Sequence, residues 1–370
     1  MRLATYNVEN MFDRAKAMNL ENWAAGRPVL EAHKELNTLI NKEIYGTADK
    51  VRMLKLLNVN GLLKKDEGPF LIIRKIRGKF LNRPQAGAVT IAANGRSDWI
   101  GWVELKTEPV KEAATENTAR VIRSRNPDIM GVVEAEDRTT LRLFNEKIIP
   151  TVGGVPFSHV MLIDGNDERG IDVGILTKPG FEIVEIRSHV DDVDAAGLIF
   201  SRDCAEYRVK LPAGELIWVM VNHLKSKGYG DQASNDARRL RQTTRVREIY
   251  DEHQSAGETL VAILGDLNDT PDSESLVPLR GGSAALRDIS EHAQFADGGR
   301  PGTHGNCTAS SKIDYIFLSP ALFARTSGGG IERGGMWGGK NGTLWPHFAE
   351  VESAVDAASD HAFVWADIDI

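Results

Sequence analysis

The sequence predicts an α+β fold in which mostly antiparallel β-sheets carry helices on their outer faces. Short apolar runs of strand length, bounded by turn residues, recur along the 370-residue chain. Two longer segments follow a helical period instead. Strands and helices do not alternate strictly, as they would in a parallel sheet built from βαβ units. A two-layer arrangement and a layered sandwich both satisfy this pattern.

The predicted strands are the apolar runs that read as buried segments, at residues 3–8, 129–133, 173–176, 216–221, 260–264, 313–318 and 362–368. A helix is predicted over residues 112–124, where Ala119, Val121 and Ile122 recur with helical spacing before an Asn-Pro stop. A second helix, rich in arginine and capped at both ends, is predicted over residues 235–253. Polar residues follow most of the strands, which places candidate functional groups at strand ends.

A segment from about residue 13 to about residue 111 interrupts this pattern. We expect it to be helical and basic up to about residue 83, with a hairpin around Asn94-Gly95 after that. The chain is therefore predicted to be a single domain, residues 1–370, with a helical basic insert at about 13–111. The insert contains a run of ten basic residues, at Lys50, Arg52, Lys55, Lys64, Lys65, Arg74, Lys75, Arg77, Lys79 and Arg83. A solvated helical face and a phosphate-contacting surface both explain the run.

Composition excludes several classes of protein. The formal net charge of −7 gives no general attraction to polyanions, so nucleic-acid binding would need a local basic patch or a bound metal ion. Two cysteines, Cys204 and Cys307, are too few for a disulfide framework, and buried thiols are expected. The start of the chain does not read as a signal peptide and there is no apolar run of membrane-spanning length, so we expect a cytoplasmic protein without stable membrane insertion. The oligomeric state is left open.

The chemical signal is the number of carboxylate, amide and imidazole groups at strand ends. They are Asn7, Glu134, Asn222, His223, Asp266, Asn268, Asp314, Asp360 and His361. Oxygen ligands of this kind suit a hard cation, Mg²⁺ or Mn²⁺, that shares its ligands with a substrate phosphate. The sequence has no HxH or HExxH pattern, which disfavours zinc. Each residue alone is typical of a turn cap, and only the set indicates a site.

The set, its order and its motif contexts resemble the endonuclease/exonuclease/phosphatase superfamily, which includes deoxyribonuclease I, apurinic endonucleases, bacterial sphingomyelinases and inositol polyphosphate phosphatases. The specific elements are NHLKS, GDLN and SDH in that order, and the resemblance covers about residues 1–14 and 112–370. It implies a four-layer α/β sandwich, with two mostly antiparallel sheets packed face to face and helices outside. It also implies metal-dependent hydrolysis of phosphoesters.

Position by position, the resemblance implies a role for each motif residue. The expected metal ligands are Asn7, Glu134 and Asp360, with Val133 where the family usually has Gln. The expected catalytic residues are Asp266, Asn268, His223, His361 and Asp314. The expected substrate-binding residues are Arg169, Asn222 and Arg202. Glu9 could reach a second ion or be structural, Lys225 is more typical of a solvated lysine, and the remaining histidines, including His159, His292, His304 and His347, are expected to be structural or exposed.

In-line attack of water on phosphorus explains these residue types. Asp266 is expected to act as the base or to orient the water, with ligation of a second metal ion as the competing role. Asn268 would hold the water or the phosphate without adding negative charge. His361 would be positively charged if Asp314 accepts its other ring proton, which would make it a donor to the phosphate.

Three functions are compatible with the residues. The first is a nuclease that hydrolyses phosphodiester bonds in DNA or RNA with Mg²⁺ (or Mn²⁺), with small phosphodiesters as possible further substrates. The alternative is a phosphatase or phosphodiesterase acting on a lipid or sugar phosphate. Within this class, Trp99 and Trp102 in DWIGW leave a lipid substrate open. The third is a catalytically inactive binding module. It is disfavoured because no expected metal or base residue is missing.

Overall fold

The structure is a computed structural model that describes residues 1–11, 16–19, 23–106, 112–167, 169–228, 231–282 and 285–370. The chain divides into two compact units. The sandwich unit comprises Met1–Phe12 and Val110–Ile370, and the inserted unit comprises Asp13–Pro109. The predicted boundaries of the insert, at about 13 and 111, lie outside the described residues.

The strands in chain order are β1 (Arg2–Met11), β2 (Leu71–Gly78), β3 (Leu81–Asn82), β4 (Thr90–Ile91), β5 (Trp99–Leu105), β6 (Ile129–Ala135), β7 (His159–Ile163), β8 (Asp172–Thr177), β9 (Glu182–Arg187), β10 (Val193–Asp194), β11 (Gly197–Leu198), β12 (Cys204–Lys210), β13 (Leu216–His223), β14 (Val261–Asp266), β15 (Arg287–Asp288), β16 (Phe295–Ala296), β17 (Asp314–Leu318), β18 (Thr326–Glu332) and β19 (Phe363–Ile368). The α-helices are α1 (Trp23–Ile40), α2 (Thr47–Val59), α3 (Glu112–Arg125), α4 (Arg138–Leu143), α5 (Ile149–Thr151), α6 (Gln232–Ser255), α7 (Val277–Arg280) and α8 (Pro320–Phe323). A π-helical turn, Phe144–Ile148, joins α4 to α5. Single 3₁₀ turns lie at Lys16–Asn19, Glu274–Leu276, Ile289–Glu291, Ala309–Ser311 and Ala354–Asp356.

Two large sheets form the sandwich unit. Within the described residues, the first has the order β16-β18-β19-β1-β6-β8-β7 and the second the order β15-β17-β14-β13-β12-β9. Most neighbouring strands are antiparallel, while β1 with β6, β13 with β14, and β16 with β18 are parallel. Since β1, β6, β13 and β14 are central strands, their carboxyl ends bring residues that are distant in sequence to one edge of the sandwich.

The core lies between the two sheets and on the outer face of each. The inner layer combines residues such as Ile129 and Val173 of the first sheet with Val219 and Leu264 of the second. Gly131 lets the sheets approach closely, since a Cβ there would lie 2.2 Å from a methyl carbon of Leu264. Helix α3 covers the outer face of the first sheet and α6 that of the second. The four-layer α/β sandwich predicted by the resemblance is therefore confirmed.

The seven predicted strands and both predicted helices are present, with bounds that differ by a few residues. Among the described strands of the sandwich unit, the unpredicted ones with five or more residues are β7, β9, β12 and β18, and the two-residue strands β10, β11, β15 and β16 were also not predicted. Two of these strands lack a continuous apolar run, because β12 contains the buried Glu206 and β18 contains Gly328, Gly329 and Gly330. Both cysteines are buried thiols, as expected.

The inserted unit contains helices α1 and α2, and it differs from the prediction beyond them. The expected helix up to about residue 83 is wrong, because Leu71–Gly78 is a strand paired antiparallel with β5. Its β-branched residues favour a strand, with Leu71 and Ile73 buried and the residues from Arg74 to Gly78 exposed. The unit has its own apolar core, in which Phe80 stacks on Trp99.

The predicted hairpin around Asn94-Gly95 is also wrong, because β4 pairs with β3 and β5 pairs with β2. The segment instead packs on the chain that follows α1. The carbonyl of Asn94 accepts a hydrogen bond from the Tyr45 amide at 2.8 Å. Gly95 lies so close to the Glu43 carbonyl that a Cβ would be 1.7 Å from its oxygen, so the glycine serves close approach rather than a turn between paired strands. In the part of the chain that is described, every helix is too short or too polar to cross a bilayer.

Candidate active site

A cavity of about 500 Å³ opens in the sandwich unit at the strand ends of both sheets. Glu9 and Glu134 reach it from the first sheet, and His223 and Asp266 from the second. Its remaining described lining consists of Arg169, Ile171, Arg202, Ser226, Lys227, Gly228, Asn268, His304, Ser310, Ser311, Ile313, Asp360 and His361. Carboxylates, imidazoles and cationic side chains thus face one space.

Local backbone distortion directs several of these side chains into the cavity. Glu9, Glu134 and Asn268 have φ values of 45°, 68° and 55°, in the left-handed region that side chains other than glycine rarely adopt. The pairing register of β1 shifts after Asn7, and that of β6 shifts at Glu134. Such bulges turn a side chain away from the regular alternation of a strand. Each left-handed residue costs about 1–3 kcal/mol, which the surrounding packing must offset.

Asn7 organises the carboxylates. Its Nδ2 donates to Glu134 Oε1 and to Asp266 Oδ2, both at 3.2 Å, and lies 3.4 Å from His361 Nε2. Its Oδ1 accepts a hydrogen bond from the Glu9 amide at 3.0 Å. Asn7 therefore lies among the expected metal ligands, but here its oxygen is engaged by the backbone and its nitrogen faces the carboxylates.

The donor set fits a divalent cation. Glu9, Glu134 and Asp360 bring three carboxylates to the cavity, and the Asp360 amide donates to Glu9 Oε2 at 2.7 Å. Burial, and repulsion by the Asp360 carboxylate, raise the pKa of Glu9 to about 7. A divalent cation would relieve that repulsion, and carboxylate oxygens are the ligands that Mg²⁺ and Mn²⁺ prefer. In the sequence, the spacing of two residues between Asn7 and Glu9 was the feature that indicated Glu9 as a residue able to reach a cation.

Asp266 is buried at the centre of the site. Its Oδ1 accepts a hydrogen bond from the backbone amide of Asn268 at 2.8 Å, so the left-handed turn at Asn268 holds the carboxylate in place. Burial and the nearby Asp314 carboxylate raise the pKa of Asp266 to about 7. Gly265, with φ +130°, allows the close approach to β13, since a Cβ there would lie 1.9 Å from the Asn222 carbonyl oxygen. An acid with a pKa near neutrality is suited to proton transfer.

Two imidazoles next to Asp266 differ in charge. His361 Nδ1 is 2.9 Å from Asp314 Oδ2, and although burial opposes the charged form, Asp314 raises the pKa of His361 well above its ordinary value. His223 Nε2 lies 3.6 Å from Asp266 Oδ2, while burial and Arg202 lower the pKa of His223 well below its ordinary value. Near neutral pH, His361 is therefore a cation and His223 is neutral.

Two arginines share one carboxylate at the edge of the cavity. Arg202 Nη2 lies 2.8 Å from Asp167 Oδ2, and Arg169 Nη2 lies 2.9 Å from the same oxygen. Arg202 is almost fully buried, and its Nη1 donates to the Leu224 carbonyl at 3.3 Å. Arg169 is partly exposed and is the more accessible of the two to a substrate.

Comparison with known proteins agrees with this geometry. The family model described as Endonuclease/Exonuclease/phosphatase family matches residues 97–361, most of the chain. The chain belongs to this family. The family is one of phosphoesterase hydrolases that generally use divalent metal ions. No curated protein matched the sequence.

Several solved structures share the fold. An endonuclease/exonuclease/phosphatase from Bacteroides vulgatus is 15% identical, with a TM-score of 0.50 over 70% of this chain and 91% of that one. The mannosyl-6-phosphatase of Bacteroides thetaiotaomicron VPI-5482 is 20% identical, with a TM-score of 0.51 and the same coverage. Another family protein from Bacteroides thetaiotaomicron is 19% identical, with a TM-score of 0.51 over 68% of this chain and 85% of that one.

In this family member, the predicted site residues Asn7 and Asp314 lie behind the cavity in contact with residues that line it, whereas Asn222 lies away from it. Successive side chains of a strand point to opposite faces, so Asn222 faces away from His223. Asn222 donates to the Met220 carbonyl at 3.2 Å and lies beside the Cys204 thiol. The expectation that Asn222 reaches the substrate is therefore not supported by its position.

The cavity of this phosphoesterase also contains residues that sequence reasoning missed. Lys227 forms an ion pair with Asp269, the residue after Asn268. His304, expected to be structural or exposed, lines the cavity and contacts Asp360. No motif marks His304, because it reaches the site through pairing with a segment more than 50 residues later.

Proposed function

We propose that this phosphoesterase hydrolyses phosphodiester bonds as a nuclease acting on DNA or RNA, with Mg²⁺ (or Mn²⁺) as its cofactor. The observation that carries the proposal is the buried Asp266 carboxylate. It shares one cavity with three further carboxylates and with the charged His361. A base, a donor set for a cation and a hydrogen-bond donor thus surround a space large enough for one phosphate group.

In the proposed mechanism, Asp266 takes a proton from the attacking water while the Asn268 amide fixes the orientation of the carboxylate. Glu9, Glu134 and Asp360 would hold the cation, which would supply positive charge for the equatorial phosphate oxygens. Asn7, expected from the sequence to be a ligand, would instead orient the Glu134 and Asp266 carboxylates through its Nδ2. The Nε2 of His361 donates a proton to a phosphate oxygen or to the leaving oxygen, since its Nδ1 is occupied by Asp314.

The flanking groups bind the substrate. As a neutral imidazole, His223 can donate a hydrogen bond to a phosphate oxygen without adding a positive charge beside Arg202 and His361. Arg169 and Lys227, both partly exposed at the cavity, offer guanidinium and ammonium donors to the flanking phosphate of a diester. Asp167 and Asp269 hold these two cations in place.

The basic run of the inserted unit supports a polynucleotide substrate. Some of its members are neutralised, since Arg52 pairs with Glu35 and Arg74 with Glu104. Lys75 and Arg77 are exposed on β2 and form no ion pair with a carboxylate of the described residues. Cations of this kind can bind phosphates of the backbone by releasing condensed counterions.

A phosphatase or phosphodiesterase acting on a lipid or sugar phosphate is the second candidate. One solved structure with this fold is that of a mannosyl-6-phosphatase, which favours a sugar phosphate within this class. A monoester would need the same base and cation, but no extended cationic surface. The basic run is thus the feature that distinguishes the two candidates.

The test is a substrate panel with the purified full chain in Mg²⁺ or Mn²⁺. The substrates are single-stranded DNA, duplex DNA, RNA, an abasic duplex, bis-p-nitrophenyl phosphate and p-nitrophenyl phosphate, with Asp266→Asn as the inactive control. Cleavage of polynucleotide and of the diester, but not of the monoester, is the expected result. Hydrolysis of the monoester alone would replace the nuclease by the second candidate.

A further inference from the structure

We propose that His304 is a positioning residue that fixes the carboxylate of Asp360 for cation binding. This inference rests on the proposed metal-dependent function. It concerns a residue that no motif identifies and that lies outside the set assigned to catalysis.

The geometry joins His304 to Asp360 and His361. The Nε2 of His304 lies 3.1 Å from Asp360 Oδ2, within hydrogen-bond distance. Its ring lies against that of His361, with centroids 4.7 Å apart and planes inclined by 57°. Both His304 and Asp360 are partly exposed to the cavity, so the hydrogen bond forms at the surface a substrate would meet.

The backbone holds His304 in this position. His304 forms an isolated antiparallel bridge with His361, and the Gly305 amide donates to the Asp360 carbonyl at 2.8 Å. Next to it, the Ala362 amide donates to the Thr303 carbonyl at 2.6 Å. Hydrogen bonds on both sides of the residue tie it to the chain of the expected metal ligand, which is not the arrangement of a solvated surface histidine.

The buried Thr303 links the loop that carries His304 to Asp314 and, through Asp314, to His361. Its hydroxyl oxygen accepts the amides of Ile313 and Asp314, both at 3.0 Å. Asp314 in turn contacts His361. The loop that carries His304 is therefore held by hydrogen bonds at the strand ends that also carry the proposed base and phosphate donor. These bonds fix the position of the imidazole next to Asp360.

The hydrogen bond divides the two oxygens of Asp360. Oδ2 is engaged by His304, whereas Oδ1 is 3.7 Å from the nearest ring nitrogen, His361 Nε2, beyond a hydrogen bond. A carboxylate bound at one oxygen cannot rotate freely about its last bond, so Oδ1 is presented in a fixed direction. Groups that orient a metal ligand in this way contribute about 10–100-fold to metal affinity.

The test is Mn²⁺ binding by calorimetry, without substrate, to the full chain after treatment with EDTA. His304→Ala is expected to weaken binding ~10–100-fold. His304→Gln is expected to restore most of it, because the glutamine amide nitrogen reaches the position of Nε2. His304→Asn is expected not to, because its shorter amide corresponds to Nδ1. His292→Ala, a histidine outside the cavity, is the matched control and should bind as the wild type does.

Thermal unfolding of each variant separates a loss of fold from a loss of the hydrogen bond, and rescue by Gln is not expected from a purely structural role. Wild-type affinity in His304→Ala, no recovery in His304→Gln, or no Mn²⁺ binding by the wild type would each overturn the inference. Pulsed electron paramagnetic resonance adds a direct check, since a ¹⁴N coupling to Mn²⁺ that disappears in His304→Gln would make His304 a ligand instead. If binding follows the expected order but no phosphoester is hydrolysed, the proposed function fails and the positioning role stands.

Discussion

Asp266→Asn separates activity from stability. The change removes the charge that the proposed mechanism uses as its base and keeps the size of the side chain. We expect kcat to fall by ~10²-fold or more, which corresponds to ~2.7 kcal/mol of lost transition-state stabilisation. In the wild type the backbone amide of Asn268 lies 2.8 Å from Asp266 Oδ1. The side-chain oxygen of the variant can still accept this hydrogen bond, so the local turn should persist.

Stability should change in the opposite direction. Burial and Asp314 raise the pKa of Asp266 from 3.8 to about 7, so the ionised carboxylate destabilises the folded state in the absence of a cation. The sign follows from linkage: this penalty is absent below the ordinary pKa and complete above the raised one. Its upper bound at pH 8 is ~4 kcal/mol. The new amide nitrogen would face the Asn7 nitrogen, now 3.2 Å from Oδ2, which costs ~1–3 kcal/mol.

The assays are hydrolysis of bis-p-nitrophenyl phosphate with Mn²⁺ and thermal unfolding in EDTA at pH 5 and pH 8. Asp266→Asn should be nearly inactive and should gain stability relative to the wild type as the pH rises from 5 to 8. Turnover at the wild-type rate would remove Asp266 from the mechanism. An equal loss of stability at both pH values would refute the electrostatic reasoning.

Three further predictions concern regions outside the base. Glu206 is buried between His189, at 2.8 Å, and His253. Burial alone would raise the pKa of Glu206, but the two histidines lower it to about 2. In return, Glu206 raises the pKa of His189. The Glu206 contribution is present above the ordinary carboxyl pKa of 4.5, and the His189 contribution is lost as the pH rises through its raised pKa. Glu206→Gln should therefore cost most, ~3 kcal/mol, between about pH 4.5 and 6.5 in urea unfolding, and a pH-independent cost would contradict this. Asp269→Asn leaves the buried Arg239, now 2.9 Å from Asp269 Oδ2, without this carboxylate and should lower the free energy of unfolding by ~3 kcal/mol; a wild-type value in urea unfolding would exclude this role for the pair. Simultaneous replacement of Arg74, Lys75, Arg77 and Lys79 by Ala should weaken polynucleotide cleavage and flatten its salt dependence by about 0.9 log units per lost duplex contact, with bis-p-nitrophenyl phosphate hydrolysis unchanged; an equal response of both substrates, or of neither, would remove the basic run from substrate binding.

The strands of the fold were predictable from the sequence wherever a buried strand consists of a continuous apolar run. Strand β14 and its neighbours are buried on both faces, so their sequences are uniformly apolar. Strand β12 was missed because the buried Glu206 breaks the run, and its histidine partners come from elsewhere in the chain. In the inserted unit, basic residues are interspersed with isoleucines on β2, and the basic residues were interpreted as the solvated face of a helix.

The site was predictable to the extent that motifs carry it. Glu134, Asp266 and His361 belong to motifs whose order alone indicates the chemistry, and the structure brings them to one cavity or its immediate surroundings. Asn222 lies away from the cavity because adjacent residues of a strand point to opposite faces. His304 was missed because its position depends on a bridge to His361, a long-range contact that no local pattern records.

The most direct measurement of the central claim is the metal dependence of phosphodiester hydrolysis by the wild type and Glu134→Gln. The change removes one carboxylate of the expected cation site and leaves Asp266 in place. The account predicts that EDTA abolishes hydrolysis of bis-p-nitrophenyl phosphate by the wild type, that Mn²⁺ or Mg²⁺ restores it, and that Glu134→Gln stays at least ~10-fold less active at the same Mn²⁺ concentration. Hydrolysis that persists in EDTA, or equal activity of the two proteins at every Mn²⁺ concentration, would contradict it.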